Sequence, residues 1–181
     1  MFDFSKNYFD LFGLPVGFRL DNDALSERYR ELQRVVHPDR YANASDGEQR
    51  LALQQATRVN EAYETLRDPL QRAEYLLQLS GVDPNQERAT TSDAEFLMQQ
   101  MELREALAGV REQEDPQAEL DELMVEIGSL IKAQVAQLAV QFETGTPEQL
   151  QEAGESVAKM QFLNKLHIEA EALEAELEEM I

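Results

Sequence analysis

The sequence predicts an all-α protein in two parts, and three observations predict it. Ala, Leu, Glu and Gln dominate the 181 residues, and these side chains lose little freedom in a helix. Six prolines and eight glycines are few. Apolar positions recur at three- and four-residue intervals, and no alternating pattern of strand type competes.

The elements follow in order. "NYFDLFGLP" reads as a short helix closed by Gly13, with Pro15 beyond it. In "LDNDALSERYRELQRVVHPD", Asp21 is the expected N-cap, and Asp21 and Asp23 lie near the positive helix end. Leu25, Tyr29, Leu32 and Val36 form one apolar stripe. A third helix starts near Ser45 or Asp46 and runs to about Leu66, burying Ala52, Ala56, Val59, Tyr63 and Leu66. "RDP" breaks it, and "PLQRAEYLLQL" restarts a shorter helix with Pro69 in its first turn. "SGVDPNQERATT" has the composition of a linker. Three longer stretches follow, at about 92–110 (capped by Ser92), 117–143 and 147–180. Short connections make such neighbours antiparallel, so a three-helix bundle is expected. The boundaries read as 1–78 for the first unit, 79–91 for the linker and 92–181 for the bundle.

Charge supports the division. Net charge is −20, yet residues 1–75 hold 13 acids and 10 bases, while 76–181 hold 23 acids and 6 bases. The asymmetry argues for different partners and against nucleic acid, whose phosphates this surface would repel. No cysteine is present, which excludes disulfides, thiolate catalysis and cysteine-held zinc or iron–sulfur clusters. The start "MFDFSKNYFDLFGLP" lacks the pattern of a signal peptide. No window is expected to approach the roughly 18 apolar residues of a membrane span. A cytoplasmic location without membrane attachment is the expectation. No cofactor or metal is expected to be held, and His167 reads as a surface or boundary residue without a second ligand nearby.

The abrupt stop at "HPD" raises the functional question. Proline disfavours the α conformation at His37 and cannot donate a ladder hydrogen bond itself. His37 and Asp39 should therefore project from a loop tip. Arg30 and Arg34 lie opposite the apolar stripe, Arg28 flanks it and Arg40 follows the tripeptide. Three readings compete. One is a plain helix stop whose arginines pair with Glu27 and Glu31. Another is acid–base hydrolysis by His37 and Asp39, which lack a nucleophile, donor pair and pocket. The third is a tip that docks on a protein.

The run of "YFDLFGL", a basic amphipathic helix, "HPD" and a returning helix with "VNEAYETLRDP" resembles a J-domain over residues 6–76. The resemblance implies an antiparallel helical hairpin that binds a DnaK-type chaperone and stimulates its ATPase. His37, Pro38 and Asp39 would sit at the chaperone's interdomain contact, with Arg28, Arg30 and Arg34 on an acidic patch. Arg40 stands where the family commonly has lysine, which keeps the charge but changes the donor geometry.

In "SDAEFLMQQMELREALAGV", Phe96, Leu103, Leu107 and Val110 fall on one face, and Leu97, Met98 and Met101 fall on another beside Glu102 and Glu105. A bundle helix needs one stripe. The second is either further internal contact or an adaptable patch for a partner. "LFGLP", "HPDR", "LRDPLQRAEYLL", "FLMQQMELREAL" and "QFLNKL" together resemble the HscB family of iron–sulfur co-chaperones over nearly the whole chain. The resemblance implies an HscA-type chaperone and an IscU-type scaffold as partners, and a role in cluster transfer without enzymatic activity of its own. It further implies a scaffold patch of Leu97, Met98, Met101, Glu102, Glu105 and Phe162, with Arg104 at its margin. Met101 stands where the family often has leucine, a tolerable exchange by volume. For Phe162, the wheel places it with Leu166, Leu173 and Leu177 as core, while the family implies a partly exposed edge. The sequence has no cysteine of the kind borne by the zinc extension of some eukaryotic relatives, so a bacterial type is expected. The alternatives are a J-protein with an unrelated client and a helical structural adaptor.

Overall fold

The computed structural model describes residues 6–42, 44–82 and 94–179. Every regular element among them is helical, and they divide into two compact units at Leu76/Leu77. That division falls inside a helix. The expected linker lies mostly outside the described residues, as does the expected cap Ser92.

In the first unit, α1 spans Tyr8–Phe12. The Asn7 side chain caps it by accepting the Asp10 N–H at 2.9 Å. Gly13 ends it at φ 65°, a left-handed conformation that a Cβ would oppose. Helix α2 spans Asn22–Val36, and Asp21 accepts the N–H groups of Asp23 and Ala24, both at 3.0 Å. Helix α3 spans Asp46–Arg67 behind a capping box. Ser45 N–H and Oγ donate to the Glu48 carboxylate at 2.9 and 2.7 Å. These bonds lower the Glu48 pKa from its ordinary value. The stabilisation they give is therefore present above the ordinary carboxylate pKa and is lost as pH falls through the lowered one.

The α2–α3 hairpin is antiparallel, as the partners show. Ser26 meets Tyr63 at 3.4 Å, the Tyr29 hydroxyl donates to Asn60 at 3.0 Å, and Gln33 also reaches Asn60. The Tyr29 and Tyr63 rings stack with centroids 4.0 Å apart. Leu25, Val36, Val59 and Leu66 are fully buried between the helices, and Phe9 and Phe12 are buried with them. Helix α4 spans Pro69–Leu79. Its Tyr75 hydroxyl accepts the Tyr8 N–H at 3.0 Å while the two rings stack at 4.5 Å, which fixes α1. Burial pushes the Tyr75 pKa up. Arg72 is buried too. It donates to the Leu66 carbonyl at 2.6 Å and lies over the Phe18 ring at 4.9 Å, and burial lowers its pKa.

In the second unit, α5 spans Ala94–Gly109, with a 3₁₀ turn at Val110–Glu112. Helix α6 spans Pro116–Thr144 and α7 spans Pro147–Glu179. Asp115 caps α6 by accepting the Ala118 N–H at 3.1 Å, and Gly145 ends it at φ 64°. Pro147 then opens α7, so the long helices return on one another. Leu103, Val110, Leu120, Leu123, Ile127, Leu163, Leu166 and Ala170 form a continuous core from all three helices.

One expectation is corrected here. Helix α6 is long and apolar enough by length and composition to cross a membrane. The run from Met124 to Gln141 has only Glu126 and Lys132 as charges. Alanine, valine and leucine lift its hydropathy without forming a uniformly apolar surface. Its large buried apolar residues, Leu120, Leu123, Ile127 and Leu138, form a stripe, with Ala139 and Gln141 also buried, which suits a bundle helix.

Leu166 is 1 % exposed within this core. Leu166→Ala should lower bundle stability by about 2–5 kcal/mol, read as an earlier urea midpoint by circular dichroism. A shift below about 0.5 kcal/mol, the usual bound for surface changes, would contradict its place in the core.

Candidate functional site

The candidate residues form two exposed surfaces, one in each unit. In the first, α2 runs to the buried Val36 and then stops. His37 has φ −57° and ψ 124°, outside the helical region, as a residue before proline should. Residues Pro38–Tyr41 form a 3₁₀ turn. His37 Nδ1 accepts the Asp39 N–H at 3.3 Å and lies 3.6 Å from Asp39 Oδ2. An unprotonated Nδ1 suits the first contact and a protonated one the second, so neither holds the ring strongly. Both side chains are largely exposed.

The turn also folds back on α2. Arg40 Nη1 donates to the Arg34 carbonyl at 2.9 Å, and the Tyr41 hydroxyl lies 3.4 Å from the Val35 carbonyl. These groups meet carbonyls that the last turn of a helix leaves unpaired. Arg28, Arg30, Arg34 and Arg40 are all exposed. Arg28 pairs with Glu31 at 2.9 Å, and Arg30 Nε donates to the Ser26 carbonyl at 3.2 Å. The arginine face is thus partly neutralised at Arg28 and engaged locally at Arg40, two features that the wheel did not separate.

In the second unit, Phe96, Leu103 and Val110 of α5 are buried and Leu107 is half-buried. Leu97, Met98 and Met101 are 46 %, 60 % and 72 % exposed, leaving an apolar ledge on the opposite face. Glu102 and Glu105 are exposed beside it. Phe162 of α7 is half-buried and packs against the core cluster. Its ring meets Phe96 edge-on at 5.9 Å, and the Arg104 guanidinium lies over it at 5.3 Å. The wheel and the family resemblance each describe half of this residue, because it sits at the α5–α7 seam. Arg104 lies on the same α5 line as Leu97 and Met101, so it joins the seam to the ledge.

His167 Nε2 lies 3.5 Å from Glu171. Among the described residues, no group of three or more His, Cys, Asp or Glu side chains is placed to hold a metal.

Comparison with known proteins gives a consistent result. Residues 7–75 match the family model of the DnaJ domain, and residues 92–171 match that of the HSCB C-terminal oligomerisation domain. A co-chaperone protein HscB homolog of Shewanella loihica is 45 % identical over 168 residues, covering 93 % of this chain and 97 % of the relative. The structure of chaperone HscB from Vibrio cholerae has a TM-score of 0.84 at 41 % identity, covering 95 % of this chain and 99 % of that one. The crystal structure of human co-chaperone protein HscB also reaches 0.84, at 33 % identity, covering 94 % and 83 % of the respective chains.

The half-buried seam position makes a measurable demand. Phe162→Ala should destabilise the bundle by about 1.5–3 kcal/mol, less than the 3–5 of a fully buried phenylalanine. Urea unfolding measures it, and an unchanged midpoint would place the ring outside the core.

Proposed function

The chain belongs to the HscB family of J-domain co-chaperones, and from that premise we propose that it brings an IscU-type iron–sulfur scaffold to an HscA-type chaperone. It is a co-chaperone and not itself an enzyme, as its relatives are. Its J-domain calls for a partner of the DnaK class, whose ATPase it stimulates. The scaffold, the residues of both contact surfaces and a cytoplasmic site of action are our own reading. The iron–sulfur cluster is cargo held by the scaffold, in keeping with a chain that has no cysteine.

One observation supports the reading above others: a single chain presents an exposed His37–Asp39 tip in one unit and an exposed Leu97–Met98–Met101 ledge in the other. The first unit is suited to a transient encounter. Arg30 and Arg34 attract an acidic patch through water, screened beyond about 8 Å at physiological salt. Such attraction favours fast association more than tight binding. His37, Pro38 and Asp39 then engage the chaperone, with Arg28 and Arg40 at the margin. Stimulation follows when this contact is stronger in the hydrolysis-competent conformation than in the alternative.

The ledge has the complementary task of holding cargo. Covering Leu97, Met98 and Met101 contributes about 1.5–3 kcal/mol per side chain. A micromolar complex needs about 8 kcal/mol net, after the cost of association. The apolar contact therefore needs polar help, for which Glu102, Glu105 and the Arg104–Phe162 seam lie alongside. Transfer to the chaperone requires that this complex also dissociate, so moderate affinity is useful.

Two substitutions separate the surfaces. His37→Gln should leave helicity and scaffold binding unchanged and abolish stimulation of the chaperone ATPase in a steady-state assay. A folded variant with normal stimulation would refute the tip. Leu97→Ala combined with Met101→Ala should weaken scaffold binding at least tenfold, about 1.4 kcal/mol, while stimulation by the co-chaperone alone persists. Unchanged affinity in calorimetry would refute the ledge.

A further inference from the structure

Beside the ledge, the three helices of the bundle line an open recess of about 450 Å³. Its α5 wall includes Glu95, Phe96, Met98 and Glu102, while Gln134 comes from α6 and Lys159 from α7. Met98 and Glu102 belong to the ledge as well, so the two surfaces are continuous. Phe96 is only 5 % exposed and forms the apolar floor. The Lys159 ammonium lies over that ring at 5.3 Å.

The recess has an excess of acceptors. Two carboxylates face one ammonium. In addition, Gln134 Oε1 is buried and has no hydrogen-bond partner among the described residues. A buried acceptor without a donor forfeits its hydration and gains nothing in exchange. Gln134 lines the recess, and a turn of its terminal amide would present this oxygen to a guest beside a surface that already requires a partner. A guest that supplies several donors on a cationic group would answer both the orphan oxygen and the surplus negative charge.

We propose that this recess is the specificity pocket of the scaffold-binding surface and takes a long basic side chain, arginine above lysine, from the scaffold. The inference rests on the reading of the ledge given above. Arginine is favoured by its chemistry. Its planar group offers five N–H donors in a fixed fork, which can bridge a carboxylate and an amide oxygen at once. A lysine ammonium, a single point of charge, would not span both acceptors. The pocket also answers a need that the ledge leaves open. Methionine and leucine give area but tolerate many poses, whereas a charge-assisted hydrogen bond at a fixed point sets register.

Calorimetric titration with an IscU-type scaffold tests this in the full chain. Gln134→Leu and Glu95→Gln should each weaken binding about 3- to 10-fold, the range for one lost hydrogen bond. Glu95→Gln should also reduce the salt dependence of binding. Leu97→Ala, run in parallel, separates the two levels. If Leu97→Ala weakens binding and both recess variants bind like the wild type, the pocket is overturned and the ledge stands. If Leu97→Ala also binds normally, the ledge falls and the pocket with it. A tighter complex with Glu95→Gln reveals an acidic guest and overturns the pocket as well. Glu95 is exposed, so its variant decides the matter should Gln134→Leu fail to fold.

Discussion

Proline at position 38 imposes the constraint from which the first unit takes its form. It drives His37 out of the helix at ψ 124°, one residue after Val36 has been buried completely. The last turn of α2 is thereby fixed by core packing while the next residue already faces water. Arg40 then donates to the Arg34 carbonyl, so the turn closes on the helix it ends. A flexible loop at this place would display the same residues in many arrangements. The short 3₁₀ turn restricts them, which lowers the ordering cost of any contact they make.

A second constraint acts in the bundle. A helix packed on two neighbours can bury one stripe, and in α5 that stripe is Phe96, Leu103 and Val110. Leu97, Met98 and Met101 remain outside because no fourth helix of this unit covers them among the described residues. A soluble surface that keeps adjacent large apolar side chains exposed forgoes the hydrophobic gain of burying them. The helix tolerates this because its other face is well packed against α6 and α7. The ledge and the core are therefore products of the same geometry, and Phe162 stands where they meet.

Local chemistry explains how much of this was legible in the sequence. Caps depend on a few adjacent residues, so Gly13 and Asp21 could be read directly and the start of α3 to within a residue, while the Ser45–Glu48 box came only with the structure. The α5 stripes could be read because their spacing alone divides them. Phe162 could not be settled from its own helix, since its exposure depends on how Phe96 and Arg104 of another helix approach it. The Arg40 and Tyr41 contacts to α2 required the turn to fold back, which no periodicity encodes. Helix α6 is expected from the sequence to lack any apolar window of membrane length, whereas its length and composition do pass that test. A hydropathy window sums apolar residues without asking whether they share a face. Gln134 and Lys159 were passed over for a related reason: each looks ordinary on its own wheel, and only the three-helix arrangement brings them beside Glu95 and Glu102.

The central claim is that one molecule must hold the chaperone and the scaffold together. A complementation assay tests it most directly. Chaperone ATPase is measured with a limiting amount of co-chaperone and added scaffold. The co-chaperone is supplied either intact or as a mixture of two damaged chains, His37→Gln and the Leu97→Ala, Met101→Ala double variant. If the two surfaces must lie on one chain, the mixture shows only the stimulation of its intact tips and none of the extra rate due to scaffold. A mixture that matches the intact protein would contradict the claim, because tip and ledge would then work as well on separate molecules.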